Sequence, residues 1–96
     1  MHPTHSRILK AAVTLALRSN FRRVTRDAVA ERARVSQGLV GHHFATIQKL
    51  QDDIVKYAIE NKLHAVIAQA LLEAHPLAVA LPLDAKLAAA HYIATR

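Results

Sequence analysis

The 96-residue sequence has no cysteine and no tryptophan, only two glycines and three prolines, and four aromatic residues: Phe21, Phe44, Tyr57 and Tyr92. Without cysteine there is no disulfide framework, no thiolate nucleophile and no Cys-based zinc site. So little glycine and proline leaves few turns, and nothing in the pattern supports a sheet of regularly spaced strands. Long apolar runs are also missing. The strongest, Ala11 to Leu17 and Ala65 to Leu72, are too short to span a bilayer and are interrupted by Thr14 and Gln69. After the first of them come Arg18, Arg22 and Arg23, where a signal peptide would need a small-residue cleavage site, so a cytoplasmic protein without a membrane partner is expected.

The groups that chemistry would need are sparse as well. Asp52 and Asp53 are adjacent, about 100° apart on a helix, and cannot flank one substrate as an acid and base pair. Of the three serines, Ser36 is better explained as a helix cap than as a nucleophile, and no Gly-rich phosphate loop is present. Glu60 and His64 stand four residues apart like half a metal site, but no third and fourth ligands converge on them. No enzyme activity, metal or cofactor is expected. His2 and His5 read as part of a loose terminus.

What remains is apolar and basic. The chain is 52% hydrophobic, and 19 of its residues are alanine, a composition that favours closely packed helices. The expected fold class is all-α in a single compact unit. A domain this small buries a modest fraction of its surface, so a partner subunit is expected to complete its core. Charge is segregated along the chain. Residues 1–50 hold nine Lys or Arg against two acids, a net +7, and residues 51–96 hold four against five, a net −1. A cationic half joined to a nearly neutral apolar half fits a polyanion at one end and a protein partner at the other. The arginines are spread over several short elements, which favours nucleic acid over a basic membrane-surface helix.

Capping residues divide the basic half into three helices. Thr4 or Ser6 can cap the first, whose stripe of Ile8, Ala12, Leu15, Ala16 and Ser19 runs to a stop near Asn20, a residue suited to the left-handed conformation, with Phe21 folding back on the stripe. Thr25 caps a short second helix to about Ala33. Arg34 and Val35 make a turn, and Ser36 caps a third helix to Phe44, in which Val40 and Phe44 point inward. Thr46 then starts a fourth helix with no breaker before Pro76. Its apolar residues cover more than one face, so it needs covering on two sides. Pro76 and Pro82 bracket a connector, and Asp84 caps a last helix carrying Leu87, Ala90 and Ile93. The layout is a helix-turn-helix region over residues 1–46 and a helical dimerisation region over residues 47–96. Leu63, Val66, Ile67, Ala70, Leu71, Leu87 and Ile93 are the candidate dimer interface.

Two short helices, a tight turn and polar residues at the start of the second describe a helix-turn-helix whose second helix enters the major groove. TRDAVAERARVSQGLVGHHF, Thr25 to Phe44, resembles the signature of the tetracycline-repressor (TetR) family of bacterial transcriptional regulators. Thr25, Ala30, Glu31, Arg32, Ala33, Val35, Ser36, Gly38, His42, His43 and Phe44 carry the match, with Ile8, Leu9, Ala11, Ala12, Leu15 and Phe21 fitting that family's first helix. The resemblance implies contacts position by position. Ser36, Gln37, Leu39 and His42 would face base edges; Thr25, Arg26, His43 and Lys49 would meet the phosphate backbone, with Arg34 a candidate contact in the turn. Glutamine can pair with adenine through two hydrogen bonds, Leu39 can meet a thymine methyl, and Gly38 lets the groove approach closely.

The sequence departs from that pattern at four points. Arg34 stands in the turn where the family usually has Gly, Gly41 where a phosphate-binding Tyr is common, and Ile47 where a Lys often opens the fourth helix. The stretch after Tyr57 is much shorter than the family's ligand and dimer domain, so a small-molecule effector is not expected and dimerisation falls to the helices that remain. The expected function is that of a homodimeric repressor on a near-palindromic operator in double-stranded DNA. The competing readings are a protein-interaction module that titrates another regulator and a nonspecific architectural DNA binder.

Overall fold

A computed structural model describes residues 3–94, and His2, read above as part of a loose terminus, lies outside them. Among the described residues the chain forms seven α-helices and a single 3-10 turn, with no strand, in agreement with the all-α expectation. It divides into two compact units, one up to Ile54 and one from Val55 on.

In the first unit, α1 spans Pro3–Arg18. It begins before Thr4 and Ser6, because a proline's fixed φ and missing N–H suit the first helical position. Ile8, Ala12 and Ala16 of the expected stripe are buried with Leu9, Ala11 and Val13, while Ser19 is exposed. Asn20 does not adopt the left-handed conformation expected of it. Its backbone is extended (φ −157°), and its side chain instead accepts a hydrogen bond from the Arg23 N–H, capping the 3-10 turn Phe21–Arg23. Phe21 is buried.

Helix α2 (Arg26–Ala33) and helix α3 (Gln37–His43) start where their caps predict. The Thr25 hydroxyl accepts from the Ala28 N–H at 3.2 Å, and the Ser36 hydroxyl accepts from the Leu39 N–H at 3.0 Å, each satisfying an otherwise orphaned donor. Helix α1 packs on α2, and α2 on α3. Val29, Ala30, Val40 and Phe44 are buried, which fixes the opposite side of α3 toward solvent.

Helix α4 (Ile47–Glu60) is capped by Thr46, whose hydroxyl accepts from the Lys49 N–H at 3.0 Å. The single helix expected from Thr46 to Pro76 is interrupted. Lys62 takes a left-handed conformation (φ 55°), and the Leu63 N–H reaches back to the Ala58 carbonyl at 2.9 Å, closing α4. In the second unit, α5 (His64–Leu72) follows and packs on α7 (Leu83–Ala94), with the one-turn α6 (Pro76–Val79) between them in sequence. The ring of His75 caps α6 by accepting from the Leu77 N–H at 3.1 Å. No helix among the described residues is long and apolar enough to cross a membrane.

Candidate nucleic-acid interface

The exposed side of α3 carries the residues expected to face base edges. Ser36, Gln37, Gly38 and His42 are exposed and Leu39 is half-buried. Gly38 faces open space: a Cβ built there would find only the Ser36 hydroxyl, at 3.9 Å. The N-terminal end of α3 therefore presents a low, polar surface with its last two turns anchored by Val40 and Phe44.

Gln37 is not free. Its side-chain amide donates a hydrogen bond to the Asp27 carboxylate on α2. Asp27 stands in the first turn of α2, where a carboxylate suits the positive end of the helix dipole. In the fold it crosses the turn to grip the glutamine, leaving the amide oxygen and one N–H available. A ten-residue separation across a turn carries no local sequence signal, because the contact depends on how α2 crosses α3.

Of the residues expected to meet phosphate, Arg26 lies against α3. Arg26, the first residue of α2, lies across Gly41: a Cβ there would sit 3.7 Å from the guanidinium carbon. Its guanidinium also donates to the Ala45 carbonyl at a long 3.5 Å. Glycine at position 41 thus leaves a flat spot that the arginine occupies, where the TetR-like pattern would project a tyrosine. Arg34 ends α2 in the left-handed region (φ 59°, ψ 49°), with the Arg34 N–H bonded to Glu31 and the Val35 N–H to Ala30. An L-residue pays about 1 kcal/mol for that conformation, which glycine would adopt freely. Thr25 is exposed at the start of α2. Lys49, on α4, pairs with Asp53 at 3.0 Å and is half exposed, so its charge is shared with a carboxylate.

His43 is half-buried and joins a small aromatic group. It meets His5 edge-on at 5.6 Å and His42 edge-on at 5.5 Å, while His5 stacks on Phe44 at 4.5 Å. His5 therefore belongs to α1 and to the packing at the end of α3, not to a loose terminus. In the second unit His64 meets Tyr92 edge-on at 6.2 Å. Among the described residues no group of three His, Cys, Asp or Glu side chains could hold a metal ion.

The residues expected to form a dimer interface separate into three sets. Val66, Ile67 and Ala70 are buried within the chain, Leu63 and Leu71 are half-buried, and Leu87 and Ile93 are exposed. Leu83 and Tyr92 on α7 and Leu72 at the end of α5 are exposed beside them, a set that the sequence reading did not name.

In comparison with known proteins, the family described as bacterial regulatory proteins, tetR family, matches residues 8–54. No curated protein and no solved structure matches the chain.

Proposed function

Through residues 8–54 the chain belongs to the tetR family of bacterial regulatory proteins, DNA-binding transcription regulators, and on that premise we propose that it is a homodimeric repressor of sequence-specific action. The observation that carries the reading is α3: its inward residues Val40 and Phe44 are buried, its outward residues Ser36, Gln37 and His42 are exposed, and Arg26 lies against Gly41.

In the proposed complex Gln37, Ser36, Leu39 and His42 meet base edges in the major groove, with Gln37 offering its free oxygen and remaining N–H to adenine. Thr25, Arg26, Arg34, His43 and Lys49 meet phosphates, which set position and carry most of the affinity. Arg26 takes over the phosphate contact that a tyrosine at position 41 would make. Two copies related by a two-fold axis would place their α3 helices about 34 Å apart, or a multiple of it, on a near-palindromic operator. Occupancy of promoter DNA would then exclude polymerase, with no effector required. The apolar residues left exposed on α7 support a second copy of the chain as the partner.

Selection of bound fragments from random duplex DNA tests the reading. The expected result is a two-fold motif with half-sites one or more helical turns apart, and a log affinity that falls with log salt at a slope near −5 if about six phosphates are neutralised. Enrichment of no motif, with salt-dependent binding retained, would leave a nonspecific architectural binder. Absence of DNA binding would leave a module that pairs with another regulator.

A further inference from the structure

Helix α1 and the end of α2 leave a cleft between them, with Arg7, Lys10 and Thr14 on one wall and Arg32 and Arg34 on the other. Four cations converge there and no carboxylate lines it. All four are exposed, and no ion pair or side-chain hydrogen bond holds any of them among the described residues. Glu31 lines an adjoining hollow together with Arg32 and Arg34. The Thr14 hydroxyl is engaged by the Lys10 carbonyl at 2.9 Å, so the charge of the cleft comes from its basic side chains.

Like charges gathered where no carboxylate lines the cleft repel one another, and an anion entering it relieves that repulsion. Guanidinium groups match two oxygens of one phosphate, and lysine supplies a compact charge beside them. Arg34 lies two residues before Ser36, the cap of α3, so the cleft adjoins the turn that leads into the helix proposed to read base edges.

We propose that this cleft is a phosphate-binding site in which Arg7, Lys10 and Arg32 join Arg34 in holding a phosphodiester of the duplex, extending the DNA footprint onto α1. The proposal rests on the operator-binding reading above. The same chemistry would accept a free phosphate, and the test distinguishes the two sources.

The full chain is compared with the variant Arg7→Ala/Lys10→Ala, both changes being at exposed positions of α1 where alanine favours helix. Lys56→Ala/Lys86→Ala removes the same charge from the second unit as a control. Duplex affinity is measured across a salt series, and pyrophosphate binding without DNA by calorimetry. The Arg7/Lys10 variant is expected to lose about tenfold or more in affinity at low salt for every sequence, with a salt slope shallower by about 1 to 2 and base preference unchanged, while the control keeps the parent slope. A slope unchanged in the variant, or reduced equally in the control, overturns the DNA contact; if pyrophosphate binding is nevertheless lost in the variant, the cleft takes a free phosphate instead. Should the parent chain bind no duplex, the operator reading fails separately, and pyrophosphate decides. Binding by the parent and not the variant keeps the cleft as a phosphate site, and equal binding, or none by either, removes it.

Discussion

Gln37 would enter a DNA groove with part of its amide already committed to Asp27. In the proposed complex a carboxylate beside the groove would repel phosphate but fix the glutamine's orientation, so the two residues would act together on specificity. Gln37→Ala is expected to cost about 1 to 3 kcal/mol on the preferred site and to relax preference at one base pair per half-site. Asp27→Ala is expected to relax the same base pair while raising affinity for unrelated DNA; Asp27→Asn, which keeps an acceptor, is expected to raise nonspecific affinity and retain the preference. Parallel titrations against sites altered at each position check all three, and an unchanged profile for Gln37→Ala would place α3 in a different register.

Three of the helices end on an L-residue in the left-handed conformation: Arg34, Lys62 and Ala74. Each is followed by an N–H that reaches back five residues, Val35 to Ala30, Leu63 to Ala58 and His75 to Ala70. Glycine normally fills that position, but both glycines of this chain are spent inside α3. Ala74 has no side chain beyond Cβ to justify the strain, so Ala74→Gly is expected to stabilise the protein by about 1 kcal/mol. In a domain of this size that is a rise of roughly 4 to 8 °C in Tm, measurable by thermal denaturation; a fall would mean that the loop, not its backbone strain, sets the local energy. The same feature explains which elements were legible in the sequence. Helices α2 and α3 were readable because Thr25 and Ser36 announce them chemically, and the outward set on α3 follows from Val40 and Phe44 turning inward. The break between α4 and α5 was not, because a lysine stands where a glycine would have marked it. The available signal was Asn61, whose side chain donates to the Tyr57 carbonyl at 2.8 Å in the last turn of α4. The Asp27 to Gln37 bond lay beyond reach for another reason: it is set by helix crossing, which periodicity does not encode.

At the scale of the whole molecule, the basic charge lies in residues 1–50, whereas apolar surface remains uncovered on α7. Leu83 is 70% exposed and Leu87 58%, one helical turn apart, and Tyr92 and Ile93 are also exposed. Val66, Ile67 and Ala70 are already buried, so they have little further area to contribute to an interface. In the proposed dimer, α7 supplies the largest group of apolar side chains still free to be buried. Leu83→Glu/Leu87→Glu places charge on that face without removing any buried side chain, so the helices should survive, as circular dichroism can verify. Sedimentation is expected to show a dimer for the parent chain and a monomer for the variant. Two linked half-site contacts gain from effective concentration, so the monomer should bind a full operator roughly 10²-fold or more weakly, with its preference within each half-site intact. A variant that remains dimeric would move the interface away from α7. A parent chain that is monomeric yet binds a two-fold operator tightly would mean that DNA, not the apolar face, brings the two copies together.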